Sequence, residues 1–416
     1  MGKHMFFLFV YGLCLSCTKT TMPANQASSS GVKYYGTEAG LVSTNMIKTA
    51  DGGFLFCGQA VHDGNQKFGA FLLKTKANGD MEWQKFYGGL RDDGFFSVQQ
   101  TSDGGYVAVG FTDSYGLGSA TQRNDYYFDA WMVKTDANGN QLWNKTFGSI
   151  YGDAFYDIAE MPDHGLIAVG WSEDTISKTN SNIEVYCFVQ RTDKDGNSLW
   201  KHEYFKDRYS GYFYSVGVAS NGNIAMSGGV AESDSPQTVG ITYPCMLSLS
   251  ADGNTTLASK VYAQFRNTSK QKILTEPDGF VLGMNAINNN STSIYFLKTG
   301  PDGNISWQKA FAAGLTLSTI ANSTNSGYSL LATNTGGIQR PQVFQMDATG
   351  DLLTTIYCEN IPTMSTSPPK IYALGAIPIN NGWAFGVGIA PTYLNGNSNF
   401  ALIFTDSNGK ITDEGK

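Results

Sequence analysis

Three stretches decide the fold: DGGFLFCGQA (51–60), DGGYVAVGFT (103–112) and DHGLIAVGWS (163–172). Each is a tight turn followed by a run of apolar and small residues of strand length. A second pattern follows each of them: LLKTKANGDMEWQKFYG (72–88), MVKTDANGNQLWNKTFG (132–148) and VQRTDKDGNSLWKHEYF (189–205). Here Asn-Gly or Asp-Gly separates two strand-like runs, and such pairs tolerate the positive φ that a two-residue hairpin needs. With the hairpin glycine as a ruler, the repeats fall at Gly79, Gly139, Gly196, Gly253, Gly303, Gly350 and Gly409, with gaps of 60, 57, 57, 50, 47 and 59 residues.

Repeats of this length, each with room for four strands, predict a β-propeller of seven four-stranded blades. In the second repeat the innermost strand holds Phe96 to Gln100, the turn is Asp103-Gly104-Gly105, and the next strands are Tyr106 to Phe111 and Trp131 to Thr135. The fourth strand carries a tryptophan four residues after the hairpin glycine: Trp83, Trp143, Trp200 and Trp307, with Leu257, Thr354 and Gly31 at matching places. A tryptophan repeated blade after blade is expected to pack between blades. The segment Lys33-Tyr34-Tyr35-Gly36 matches Lys85-Phe86-Tyr87-Gly88 but has no preceding three strands. It is therefore expected to be the fourth strand of the last blade, closing the ring and covering a sheet edge. Ile411 to Glu414 is the other segment available for that place. The whole pattern, DGGyxxxG, then K-T/D-x-x-G-N and LWxKxFG, resembles the secreted bacterial β-propeller repeats, the SBBP-like and quinoprotein-like families. That resemblance covers nearly all of residues 31–414. It speaks for the fold, since propellers host many unrelated activities.

With 41% hydrophobic and 15% charged residues the chain is globular, and its 48 glycines and 25 phenylalanines suit an all-β fold. The net charge of −7 comes without any Lys/Arg cluster, which argues against a nucleic-acid partner. At the N-terminus, Lys3 and His4 precede the apolar run Met5 to Leu15, which has the length of a signal h-region and is too short to span a bilayer. Ser16-Cys17 follows, and a small residue before a cysteine at this point resembles the lipobox of bacterial lipoproteins, although Cys14 stands where that pattern prefers Leu. The resemblance implies a lipid on Cys17, with 1–17 as signal, 18–30 as a flexible tether and 31–416 as the propeller. An ordinary secretory signal with an incidental cysteine is the alternative; both export the chain. Membrane contact is then expected through the lipid alone, on the bacterial envelope and most naturally the outer membrane. Cys57, Cys187, Cys245 and Cys358 lack metal-binding spacing and sit among strand residues. They read as buried free thiols, with a Cys187–Cys245 bridge between neighbouring blades as the rarer option.

Chemistry is sparse. His62, His164 and His202 occupy unlike positions and suggest neither a triad nor a metal centre. The Asp136–Asn140 and Asp193–Asn197 runs lack the glycine and glutamate spacing of a calcium loop. Asp93 and Asp153 recur at equivalent places before innermost strands, and repeat-periodic carboxylates are expected to cap loop N–H groups. No cofactor is implied. The long, dissimilar connections 112–128, 172–183, 230–243, 286–292 and 389–398 all fall on one face, where binding is expected. Of six arginines, Arg91, Arg208 and Arg266 lie in loops entering innermost strands, and Arg123 lies in the long loop of the second repeat. With Tyr151 and Tyr212 nearby, they are the candidate ligand-binding residues, suited to carboxylates or sugars. The expected function is a non-catalytic ligand-binding or scaffold propeller whose partner is an envelope protein or glycan. A lyase or glycosidase acting in the central funnel is the alternative, and it would need inward-facing acid–base residues.

Overall fold

The structure, a computed structural model, describes residues 31–35, 41–62, 67–116, 128–175, 183–206, 210–231, 241–288, 291–311, 313–323, 327–334, 340–358, 370–390 and 399–412. These residues form seven four-stranded antiparallel sheets. In the first sheet Leu41–Lys48, Phe54–His62, Lys67–Thr75 and Met81–Tyr87 pair in chain order, and the next five sheets repeat that plan. The innermost strands are Leu41–Lys48, Asp93–Gln100, Asp153–Glu160, Gly211–Val218, Arg266–Glu276, Leu315–Asn322 and Lys370–Ile379. The chain is a seven-bladed β-propeller.

Its core is a series of layers between blades. Leu55, Cys57 and Leu72 of the first blade pack on Phe95, Trp131 and Val133 of the second. Val107, Val109 and Met132 pack on Phe155, Ala168 and Phe188 of the third. The last layer, Phe400 and Phe404 against Phe54, Phe56 and Phe71, joins the seventh blade to the first.

The repeated tryptophan and hairpin glycine prove to be one device. All seven hairpin glycines have φ between 73° and 86°, the left-handed region. At four of them a Cβ would also strike the tryptophan of the preceding blade, for example Trp200 at 2.3 Å from a Cβ on Gly253 and Trp83 at 2.7 Å from one on Gly139. Each tryptophan therefore lies flat on the next blade's turn. A tyrosine four residues further along adds a hydrogen bond: Tyr87 Oη donates to the Gly139 carbonyl at 2.7 Å, and Tyr35 Oη does the same to Gly79.

The K-T element is a second device. Lys74, whose side chain is only 2% exposed, reaches Asp51 of the DGG turn at 2.8 Å and Glu82 of the fourth strand at 2.8 Å. Lys134–Asp103, Arg191–Asp163 and Lys298–Asp278 repeat the clasp. Burial works against charge on Asp51, yet hydrogen bonds from Lys74, Thr49 and the Gly53 amide outweigh it and hold the carboxyl at about 2.

Both termini build the outer strand of the seventh blade. Val32–Tyr35 pairs antiparallel with Phe400–Ile403, as the repeat phase predicts. Beyond it, Ile411 bridges Thr405, and Phe404 donates its N–H to the Gly31 carbonyl while accepting from Thr412 N–H. The edge is thus a composite strand in which Ile411–Thr412 continues directly into Gly31–Tyr35. Val32 and Tyr35 are 1% and 7% exposed. Burying two such side chains is worth about 3–6 kcal/mol in total. Deleting residues 31–35 should lower the thermal midpoint accordingly; an unchanged midpoint would mean that the Ile411 segment alone closes the ring.

Candidate functional site

The axis of the ring is the place where the blades stop repeating one another. In blades one to four, a glycine on the second strand lies against the innermost strand. A Cβ on Gly58, Gly110, Gly170 or Gly228 would come within 2.1 Å of the carbonyl oxygen of Val42, Gly94, Ala154 or Tyr212. Opposite each glycine the innermost strand carries one extra residue, a bulge that re-aims a side chain. The extra residues are Thr44, Phe96, Tyr156 and Tyr214.

Three of these side chains, from three different sheets, touch one another. The ring centroids of Phe96 and Tyr156 are 5.2 Å apart, and those of Tyr156 and Tyr214 are 5.5 Å apart. Tyr156 touches a ring of the blade on either side, which a side chain within a single inter-blade layer does not do, so the row runs along the innermost strands about the common axis. Tyr212 extends the row, stacked on Tyr214 at 6.2 Å and edge-on to Trp171 at 6.2 Å, and Phe111 flanks Phe96 at 5.4 Å. Blades two to four therefore present a continuous aromatic arc. Burial pushes the Tyr156, Tyr212 and Tyr214 hydroxyls above their usual range, so they remain protonated donors.

One ladder position further along lies a polar circuit with contributions from five blades. Asn45 Nδ2 reaches Ser97 Oγ at 3.5 Å, and Ser97 Oγ donates to Asp157 Oδ1 at 2.7 Å. Ser215 Oγ and Lys272 Nζ both donate to Asp157 Oδ2, each at 3.0 Å. The Asp157–Lys272 pair thus spans from the third blade to the fifth. No feature of the sequence repeat singled out this pair, although Lys270-Gln271-Lys272 stands where neighbouring blades have Phe-Tyr-Ser or Phe-Tyr-Asp.

The arginines expected at the mouth fare variously. Arg91 is half exposed and pairs with Asp113 of its own blade at 3.4 Å. Arg266 opens its innermost strand and is exposed. Among the described residues no contact joins the two. Arg208 and Arg123 lie outside the described residues, as does Cys17. Tyr151 is half-buried at a loop where its amide N–H donates to Ser149 Oγ, and Tyr212 belongs to the aromatic arc.

The periodic carboxylates cap loops, as their recurrence implies. Asp93 accepts from the Gly89 amide at 2.9 Å and from the hydroxyls of Thr112 and Ser114. Asp153 accepts from the Ser149 amide at 2.8 Å and from Ser172 Oγ. Both residues are 0% exposed. The Asp136 and Asp193 runs are hairpins whose carboxylates take the turn amides, including those of Asn138 and Asp195 at 2.9 Å. Among the described residues no group of three or more His, Cys, Asp or Glu side chains could hold a metal ion. Cys57, Cys187, Cys245 and Cys358 are buried free thiols.

On the opposite face, a cleft of about 380 Å³ between blades two and three holds Ser102, Glu160 and His164. Their types suggest a triad, but their geometry does not. His164 Nδ1 meets Ser102 Oγ at 2.8 Å, and the same nitrogen faces Glu160 at 3.6 Å, while Ser102 Oγ donates to Glu160 at 2.7 Å. A catalytic histidine must hold nucleophile and acid on different nitrogens. The group is a clasp between turns.

No protein-family model matches the chain, and no curated protein matches it. Among solved structures, it is similar to a protein of unknown function from Dyadobacter fermentans, at 10% identity and a TM-score of 0.48, over 90% of this chain and 100% of that one. It is also similar to YCF48 bound to a D1 peptide, at 12% identity and 0.48, over 94% and 100%. A Synechocystis apocarotenoid oxygenase variant matches at 12% identity and 0.43, over 76% and 71%. Likenesses this distant carry nothing about activity.

Burial, reinforced by the nearby Asp129 charge, outweighs the hydrogen bonds to Asp153 and pushes its carboxyl up to about 7. The folded state therefore holds a proton that the unfolded chain has released above about pH 4, so this residue lowers stability as pH rises from about 4 to 7. Asp153→Asn keeps a neutral acceptor in place. Its thermal midpoint should match that of the parent near pH 4 and exceed it at pH 8. A lower midpoint at pH 8 would show that the ionised carboxylate is the stabilising form.

Proposed function

We propose that this chain is a non-catalytic binding propeller displayed on the bacterial cell envelope, tethered by a lipid on Cys17, and that its ligand is a glycan of that envelope. The observation that carries the reading is the aromatic arc. Phe96, Tyr156, Tyr214 and Tyr212 form a row of rings across three blades on rigid innermost strands. Sugar rings bind to such rows because their C–H faces stack on aromatic faces while tyrosine hydroxyls meet sugar hydroxyls. Strand-borne rings lose little freedom on binding, which favours affinity. The axial carboxylate Asp157 is taken up by Ser97, Ser215 and Lys272, and Asp93 and Asp153 are consumed in loop capping. That supports binding over glycan cleavage. Export and tethering follow from the segment around Cys17 and place such a ring where glycans occur.

Two measurements test this. Cys17→Ser should move the propeller from the membrane fraction to the soluble fraction; failure of the parent to incorporate a labelled fatty acid would remove the anchor from the reading. Tyr156→Ala should weaken glycan retention on an array by about two- to tenfold in protein that remains folded, since one aromatic contact is worth about 0.5–1.5 kcal/mol. Retention equal to that of the parent would overturn the arc as the binding surface.

A further inference from the structure

The fifth blade breaks the pattern of its neighbours at the axis. Its second strand has Met284 opposite Gln271, where the preceding blade has Gly228 opposite Phe213. The extra residue of the innermost strand falls one ladder step earlier than in the other blades, at Lys270. That residue has φ 47°, a left-handed conformation costly for a side chain longer than that of glycine. Gln271 occupies the place of Phe213. Its Oε1 and the Nδ2 of Asn285 are buried without a hydrogen-bond partner among the described residues. Repeat-periodic residues in this ring are architecture, so three consecutive departures beside an aromatic arc call for a local reason.

Lys270 differs from the other axial cation. Lys272 is paired with Asp157, which also takes Ser97 and Ser215. Among the described residues, the Lys270 side chain has no hydrogen bond or ion pair, and it is exposed to solvent. The enclosing protein and the charge of Lys272 lower its pKa. An exposed cation held on a left-handed backbone, next to a second cation and to the unpartnered polar atoms of Gln271 and Asn285, concentrates positive charge at the axis of a protein of net charge −7, and an anion would complete it.

We propose that Lys270 is the anion-recognition residue of the axial site, and that the ligand is an acidic sugar chain whose carboxylate or sulfate meets Lys270 while its rings stack on the arc of Phe96, Tyr156 and Tyr214. The proposal rests on the glycan-binding reading above and adds the charge of the ligand. Blade five adjoins blade four, where Gln271, the residue after Lys270, donates from Nε2 to the Gly228 carbonyl and Ile273 N–H donates to Ser215 Oγ, next to Tyr214; the Lys270 segment thus follows the arc round the axis. Carboxylate and sulfate share the same recognition chemistry here, and the array separates them.

The test is binding of the full propeller to a glycan array containing uronic-acid oligosaccharides, their neutral methyl esters and sulfated oligosaccharides. The parent should retain acidic chains about ten- to a hundredfold more tightly than the neutral esters, the range of one charge-assisted contact. That preference should shrink as salt rises. Lys270→Met should abolish the preference while still retaining the neutral esters, and Lys270→Arg should keep it. Lys270→Gly removes the charge and relieves the backbone, so it should lose the preference without a fall in melting temperature. A parent that does not prefer acidic chains, or a Lys270→Met variant that still does, overturns the assignment and leaves the arc standing. Weakened binding in Tyr156→Ala alongside an unchanged preference in Lys270→Met would locate the site on the arc and reject Lys270. A parent that binds no glycan overturns both readings.

Discussion

The contact on which the regular stacking of this ring most depends is the tryptophan of one blade lying on the left-handed hairpin glycine of the next, made at four of the seven hairpins. Glycine serves two purposes there. It reaches the positive φ of the turn without strain, and it leaves the flat surface that the indole covers. A substituted hairpin would pay both penalties. Because the contact joins fourth strand to following hairpin, it sets the rotation of one blade against the next wherever it occurs, and so the position of the innermost strands there. Where the tryptophan is missing, other groups take the glycine: Lys260 lies on Gly303, and the Tyr357 carbonyl approaches Gly409. The ring tolerates these exchanges because its core is distributed over seven inter-blade layers.

The aromatic arc is a product of that regularity combined with a second use of glycine. In blades two to four the bulge of the innermost strand lies against Gly110, Gly170 and Gly228, where the two strands approach closely, and it turns Phe96, Tyr156 and Tyr214 toward the axis. The fifth blade lacks the glycine at that step, and its bulge falls at Lys270 instead. The chemistry at the axis thus follows from which residue the bulge of each blade presents.

Much of this architecture was legible in the residues. The hairpin ruler predicts the blade number, the phase of Lys33-Tyr34-Tyr35 predicts which blade the N-terminal strand completes, and the periodicity of Asp93 and Asp153 predicts capping. The K-T clasp was visible as a motif but not as an ion pair, since Lys74 and Asp51 are 23 residues apart and nothing local says that their side chains meet. The arc was harder still. Tyr212 stood out as an aromatic near an arginine-bearing loop, while Tyr156 and Tyr214 read as ordinary strand residues, because strict alternation assigns no special direction to a bulged position.

What the sequence determined by itself is the repeat: local turn chemistry and a two-residue alternation are short-range properties, and seven copies of them leave only one way to bury the strand faces. What the tertiary structure alone decided is which residues converge. Asp157 and Lys272 are 115 residues apart and belong to non-adjacent blades, yet they meet at 3.0 Å. The composite outer strand likewise joins Ile411–Thr412 to Gly31–Tyr35 from opposite ends of the chain. The physical reason is closure. A ring brings equivalent positions of distant repeats to one axis, and the distance between them there depends on blade number and bulge placement, neither of which any single repeat encodes.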